Sequence, residues 1–238
     1  MQLYFIRHAQ SANNRLYEET GSWNGRDSDP ELTELGRQQA RRLAEHVACA
    51  TDDLPSRDYV NRGKFGLTHL YSSLMVRALA TASYLSAVLN LPLVAWEDWH
   101  EIGGIFMIDE ETGEHLGQSG KTRSELAARF PQAQLPETLG ESGWWNRAHE
   151  SADLQVRRAR RVVYDLIERH GGTADRVAVI SHGGFYNYVL AELLGIQADN
   201  GFWFSLNNTG ITRFNFEAEG ITLAYANWLE HLPTELIT

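Results

Sequence analysis

Two histidines occupy equivalent places in the chain. Arg7-His8 follows directly on a short apolar run at 3–6, and Ser181-His182-Gly183-Gly184 closes a second run at 176–181. A neutral imidazole is a good nucleophile toward phosphorus near pH 7, because its reference pKa is about 6.5. His8 is the candidate nucleophile: one ring nitrogen attacks while the other donates a hydrogen bond that fixes the tautomer. Phosphoryl transfer then asks the protein for little beyond positioning and charge stabilisation. Arg7 and Arg77 carry permanent charge on planar forks that match phosphate oxygens. His182 is a further donor to those oxygens. Asn14, six residues past His8, adds a neutral one. The backbone N–H groups of Gly183 and Gly184, opening a helix, extend the anion site. A leaving alkoxide needs a proton, and Glu101 is the candidate general acid, worth on the order of 10²–10⁴ in rate. In a second half-reaction the same carboxylate takes a proton from the water that attacks phospho-His8.

Each of these residues has a plainer reading alone. A histidine at a strand end is often structural, Arg77 can be a solvated helix arginine, and Glu101 a loop charge for which Asp98 or Glu97 substitutes. His182-Gly183-Gly184 can be a tight strand-to-helix turn. The combination is more informative than its parts, because every member falls at the same edge of the expected sheet. Other chemistries fit less well. His100-Glu101 lacks the second histidine of an HExxH zinc helix, and His8, His182 and Asp29 lack metal-ligand spacing. No Walker loop and no G-x-S-x-G elbow is present. No metal or cofactor is expected.

The elements that must position these groups read as alternating strands and helices. Runs at 3–6, 67–71, 91–96 and 176–181 are short and apolar, as buried parallel strands are. Helical spacing follows Thr33, which reads as an N-cap, through Leu35, Leu43 and Val47. It recurs from Val76 to Val88 and from Leu154 to Ile167, the last stopped by Gly171-Gly172. A further helix spans 185–194 and ends at Gly195. Segments 211–216 and 221–228 read as an edge hairpin. The expected fold class is α/β: three layers, α/β/α, with a mostly parallel central sheet, in one domain over 1–238. Ligands of such sheets bind beyond the carboxyl ends of the strands, where Arg7, His8, Arg77, Glu101 and His182 all fall. Two stretches interrupt the alternation. Residues 50–66 read as a polar surface extension. Residues 103–150 read as an inserted cap, with a short helix opened by the capping box Thr122-Arg123-Ser124-Glu125 and with Trp144-Trp145 as cap core.

A net charge of -10 argues against a sequence-independent grip on nucleic acid, though a local arginine cluster can still dominate a small pocket. Cys49 is the only cysteine, so no intrachain disulfide forms. The segment before Arg7 is too short for a signal peptide, and no run approaches the ~20 apolar residues of a membrane span. The expectation is a cytoplasmic enzyme with a small phosphorylated substrate, no nucleic-acid or membrane partner, and homodimerisation left open.

The residues also carry a resemblance. Arg7-His8-Ala9-Gln10-Ser11 is similar to the Arg-His-Gly-Glu-Ser signature of the histidine phosphatase superfamily, the phosphoglycerate mutase-like group, with Asn14 at the expected offset. Asp29-Pro30-Glu31-Leu32-Thr33-Glu34-Leu35-Gly36 resembles the segment that follows it. Ser72-Ser73-Leu74-Met75-Val76-Arg77 resembles the block of the second phosphate arginine, and Ser181-His182-Gly183-Gly184 that of the second histidine. The resemblance implies that His8 is phosphorylated, that Arg7, Asn14, Arg77 and His182 hold the phosphoryl group, and that Glu101 is the acid. Ala9 and Gln10 depart from the usual Gly-Glu. The function implied is a phosphatase acting on a small metabolite. A phosphoglycerate-type mutase is the first alternative, and a non-catalytic phospho-ligand binding protein the second. Substrate specificity falls to the cap, where Lys121, Arg123, Arg147 and His149 are the candidates and Glu150-Ser151 closes it onto the site.

Overall fold

Seven strands form one sheet, in the order β6 (Ala133–Gln134), β3 (Leu93–Ala95), β2 (His69–Ser72), β7 (Arg176–Ser181), β1 (Gln2–Arg7), β8 (Ile211–Glu217) and β9 (Gly220–Trp228). The computed structural model describes residues 1–49, 61, 65–198 and 201–238. Most of the polar stretch at 50–66 therefore lies outside the described residues. A two-stranded hairpin, β4 (Phe106–Ile108) with β5 (His115–Gly117), stands apart from the sheet. β1, β2, β3, β6 and β7 run parallel, while β8 and β9 are antiparallel to their neighbours. The mostly parallel three-layer expectation is met.

Alternation along the central strands sends successive side chains to opposite faces. Tyr4, Ile6, Ala178 and Ile180 pack with Leu43, Val47, Leu79 and Leu85 of α2 (Glu34–Ala48) and α3 (Val76–Leu89). Leu3, Phe5, Val177 and Val179 pack with Val162, Leu166, Phe185 and Val189 of α5 (Ala152–His170) and α6 (Gly183–Leu194). Both faces are thus covered, which is why β1 and β7 read as continuous apolar runs. Full burial of each large side chain contributes roughly 1.5–3 kcal/mol.

The segment at 103–150 holds the hairpin and α4 (Arg123–Arg129). Thr122 caps α4 and Glu125 returns the bond, so the capping box forms as read. Trp144 and Trp145 are buried in the same cluster as Leu70, Leu93 and Ile180, with Leu126, Phe130 and Leu139. The cap therefore shares its core with the sheet. It also supplies β6 to the sheet edge, which was not expected of an insertion.

Several boundaries differ from the sequence reading, among them the run at 67–71, which is strand over His69–Ser72. The run at 91–96 is strand only over Leu93–Ala95, because a 3-10 turn takes over at Glu97–Trp99. The last helix begins at Gly183, two residues earlier than read, with His182 as its N-cap residue.

Candidate active site

β1 and β7 are hydrogen-bonded neighbours, with Arg7 opposite Ser181. The residues that follow them, His8 and His182, consequently emerge side by side, and their rings lie 5.0 Å apart between centroids. The turn after β1 is fastened on every side. The His8 amide donates to the Ser181 carbonyl at 2.9 Å, and the Ala9 amide to Oγ1 of Thr81 on α3 at 3.0 Å. Asn208 donates from Nδ2 to the His8 carbonyl at 2.8 Å. Gly36 is required at its place in α2: a Cβ there would stand 2.1 Å from the carbonyl oxygen of Gln10.

These bonds decide which ring nitrogen of His8 is nucleophilic. Nδ1 lies 2.7 Å from the Ala9 carbonyl, which only accepts, so Nδ1 carries the proton. Nε2 is then the lone-pair nitrogen, and it accepts from Nε of Arg77 at 3.0 Å. Burial, then the charges of Arg77 and Arg7, hold His8 well below the usual histidine pKa. The imidazole is neutral at physiological pH.

The groups around it are positively charged or are donors with protons to spare. Arg77 is buried in the first turn of α3 and faces Oδ1 of Asp29 at 3.7 Å. Burial pushes the Asp29 carboxyl up to about 7 against the opposing pull of Arg77. Arg7 donates through one terminal nitrogen to the Leu206 carbonyl, while its Nε is buried without a partner. Both ring nitrogens of His182 are also buried without partners. Burial, then Arg77 and His8, keep His182 well below the usual histidine range. An anion beside His8 is what would satisfy these donors. Asn14 contributes one donor of its own: its Oδ1 is engaged by the Ser11 amide at 3.0 Å and by Asn208 at 3.3 Å, leaving Nδ2 available. Helix α1 (Ala12–Thr20), absent from the sequence reading, carries it.

Glu101 closes the other side of the site, beyond β3. Its Oε1 accepts from the amides of Ile102 and Phe185 at 2.9 and 2.8 Å, and its Oε2 from that of Gly184 at 3.1 Å. This corrects one expectation. The Gly184 amide, read as a phosphate ligand, is bonded to Glu101, so the helix N-terminus positions the candidate acid. Gly183 lies against Arg7, with an added Cβ 3.4 Å from Nε. His8, Arg7, Arg77, His182, Glu101 and Gly183 are therefore brought together.

Sequence reasoning missed three positions. Asn208 ties the His8 carbonyl to Asn14. Arg158 of α5 grips Glu150 with two bonds, at 2.8 and 2.6 Å, and donates to the carbonyls of Asp98 and His100, just before Glu101. Arg26 is half-buried and feels the charges of Arg77 and Glu101. All three have partners far away in sequence, so no local pattern announces them.

Gln10 directs its side chain to Thr33 at 2.6 Å and Glu18 at 3.1 Å. Of the cap candidates, Arg123 is committed to the carbonyls of Leu139 and Pro136, Arg147 pairs with Glu97 at 3.0 Å, and Lys121 with Glu125 at 3.4 Å. His149 lies against Gly103, two residues after Glu101, and the charge of Lys121 reaches Asp29.

Among the described residues one group has metal-ligand proximity: His69, His170 and Asp175, with ligand atoms within 4.8 Å of one another. It lies at the opposite, amino edge of the sheet, and His170 is already bonded to Asp175 at 2.8 Å and Tyr71 at 3.0 Å.

The family model of the histidine phosphatase superfamily (branch 1) matches residues 3–229. The chain belongs to that superfamily. The chain is 28% identical over 230 residues to the putative phosphoserine phosphatase 2 of Hydrogenobacter thermophilus, covering 97% of each chain. It is 22% identical to the probable phosphoglycerate mutase GpmB of Yersinia pestis, covering 91% of this chain and 86% of the other. Among solved structures, the Entamoeba histolytica phosphoserine phosphatase in complex with 3-phosphoglyceric acid matches at TM-score 0.62 and 21% identity, covering 98% and 99%. A mycobacterial glucosyl-3-phosphoglycerate phosphatase with inorganic phosphate matches at 0.59 and 21%, with the same coverage. These two likenesses establish the fold. Among the described residues no helix is long and apolar enough to cross a membrane.

Proposed function

We propose that the protein is a phosphomonoesterase that hydrolyses a small phosphorylated metabolite by way of phospho-His8. The observation that carries this reading is a neutral imidazole with its Nε2 lone pair facing arginine, beside unspent donors on Arg7 and His182. A phosphoryl group entering between His8 and Arg77 takes over the Arg77 bond and frees the lone pair. Nε2 attacks phosphorus, the N–P bond forms and the P–O bond to the leaving group breaks. Protonated Glu101 gives its proton to the leaving oxygen. Water then attacks phosphorus, Glu101 takes a proton from it, the N–P bond breaks and inorganic phosphate leaves. Arg7, Arg77, His182 and Asn14 hold the equatorial oxygens, where charge stabilisation is worth most. Similarity to a putative phosphoserine phosphatase supports a small substrate.

Phosphate release from p-nitrophenyl phosphate tests this reading, together with an acid-labile, alkali-stable label on position 8 after a rapid quench. Both are expected in the wild type and absent in His8→Ala. Equal release by the two proteins overturns it. The likeness to a probable phosphoglycerate mutase keeps a mutase as the second reading. Isomerisation of 3-phosphoglycerate without phosphate release would favour it.

A further inference from the structure

Arg26 is an arginine without a carboxylate partner. No ion pair forms on it among the described residues, although Arg129, Arg147 and Arg158 each have one. Its Nε is buried and has no hydrogen-bond partner. A half-buried guanidinium left in this state forfeits charge-assisted bonds that water would otherwise supply.

Its position is nevertheless fixed. The guanidinium lies 3.9 Å above the ring of Phe106 in the cap hairpin. The loop that bears it is stitched to α1 by Asn13, which bonds the backbone of Asp27 at 2.7 and 2.9 Å. Phe106 also meets His149 edge-on at 4.6 Å and His115 at 4.8 Å. His115 and His149 share a hydrogen bond at 3.1 Å. Gly103, two residues after Glu101, is pressed so closely against His149 that a Cβ would stand 2.4 Å from Nε2. Arg26 thus sits between the catalytic groups and the cap, where the non-reacting end of a substrate must lie.

We propose that Arg26, backed by the His115–His149 pair, is a second anion-binding point that selects phosphomonoesters bearing a carboxylate. The inference rests on the phosphomonoesterase reading for the reaction but not for the binding. A single planar fork matches a carboxylate in geometry and charge. A second phosphate would bring about two negative charges against one arginine. His149 is held below the usual histidine range by burial and by His115, so it adds a polar contact and not a second cation.

The test uses two pairs of probes that differ at the carboxylate: O-phosphoserine with O-phosphoethanolamine, and 3-phosphoglycerate with glycerol 3-phosphate. Dissociation constants are measured by calorimetry on full-length His8→Ala protein, which keeps Arg26 and does not require turnover. The carboxylated member of at least one pair is expected to bind more tightly. In the added Arg26→Met variant that preference ratio should fall roughly 10- to 100-fold, the value of a hydrogen bond to a charged group. Arg26→Lys should restore part of it. Arg26→Gln replaces the Met variant if thermal melting shows that the latter is unfolded. No preference in the parent, or an unchanged ratio in the variant, overturns the proposal. Wild-type hydrolysis of the same probes is scored separately, so loss of the phosphatase reading leaves the binding result standing.

Discussion

Arg77 donates from Nε to Nε2 of His8 at 3.0 Å. The bond marks the line along which phosphorus must approach, since the nitrogen that receives it is the one that carries the lone pair. Arg77 also faces Asp29 and is buried, so its charge is neither screened nor mobile. Arg77→Ala is expected to lower kcat on p-nitrophenyl phosphate by about 10²–10³, the usual loss for one preorganised donor. Arg77→Lys should recover little, because an ammonium has no planar Nε–H edge. Steady-state kinetics on the two variants checks both statements. A lysine variant as fast as wild type would mean that only charge is required.

His8, His100 and His182 are all buried and held well below the normal histidine pKa, and burial takes His231 down to about 3. In the unfolded chain each takes up a proton near pH 6.5; in the folded chain each stays neutral. Below about pH 6.5 the unfolded state therefore binds more protons, and stability falls as pH falls, by about 1.4 kcal/mol per group per pH unit. Asp29 works the other way. With its folded pKa raised to about 7, its contribution is complete below the unfolded value and lost as pH rises through about 7. Four histidines outweigh one aspartate, so the melting temperature should drop from pH 7 to pH 5. Nitrogen-15 NMR of the histidines should show His8 and His182 neutral throughout that range. Titration of either near pH 6.5 would contradict the structure.

The parts of this molecule that were legible in its sequence are those whose cause is local. β7 was read residue for residue because a strand buried on both faces must be apolar throughout. The turn into α4 was read because Thr122 and Glu125 satisfy one another across a single turn. Arg7, His8, Arg77, Glu101 and His182 were read from strand ends and from a family resemblance, and parallel pairing of β1, β7 and β2 then gathers them. α1 was missed because a helix of Asn, Arg, Tyr and Glu has no apolar stripe; its capping box uses Asn14 in place of the usual Glu. β6 was missed because two residues carry no period, and Ala133 and Gln134 become a strand only by pairing with Leu93 and Val94. Arg26 gave no signal, since Phe106 and His149 lie some eighty and more residues away.

Glu101 accepts three backbone amides, two of them from the first turn of α6. Those bonds hold the carboxyl where its charge is felt by Arg7, and Gly184 keeps the approach open, since a Cβ there would stand 2.5 Å from Oε1. Glu101→Gln preserves an acceptor for Phe185 but sets an amide nitrogen against the Gly184 N–H. It also removes the transferable proton. Loss of rate should depend on the leaving group: about 10²–10⁴ for an alkyl phosphate such as phosphoserine, and much less for p-nitrophenyl phosphate, whose phenolate departs without protonation. Comparing kcat/KM on the two substrates measures this. Equal losses would assign Glu101 a positioning role only.

Glu150 and Arg158 form a buried, two-bond ion pair that joins the end of the cap to α5. Arg158 stacks over Phe185 at 3.8 Å, and one of its terminal nitrogens bonds the carbonyls of Asp98 and His100, each at 2.8 Å. The Glu150 amide in turn donates to the Gly103 carbonyl at 3.1 Å. The backbone on both sides of Glu101 is therefore suspended from this one pair. Removing a single partner of a buried pair strands the other charge and costs about 3–5 kcal/mol. Glu150→Ala should lower stability by that amount in urea denaturation. It should also slow alkyl phosphates more than p-nitrophenyl phosphate, because the displaced group is the proton donor. Glu150→Gln, which keeps the shape and one acceptor, should recover part of both. If stability falls and the substrate ratio stays fixed, the pair holds the fold and does not position Glu101.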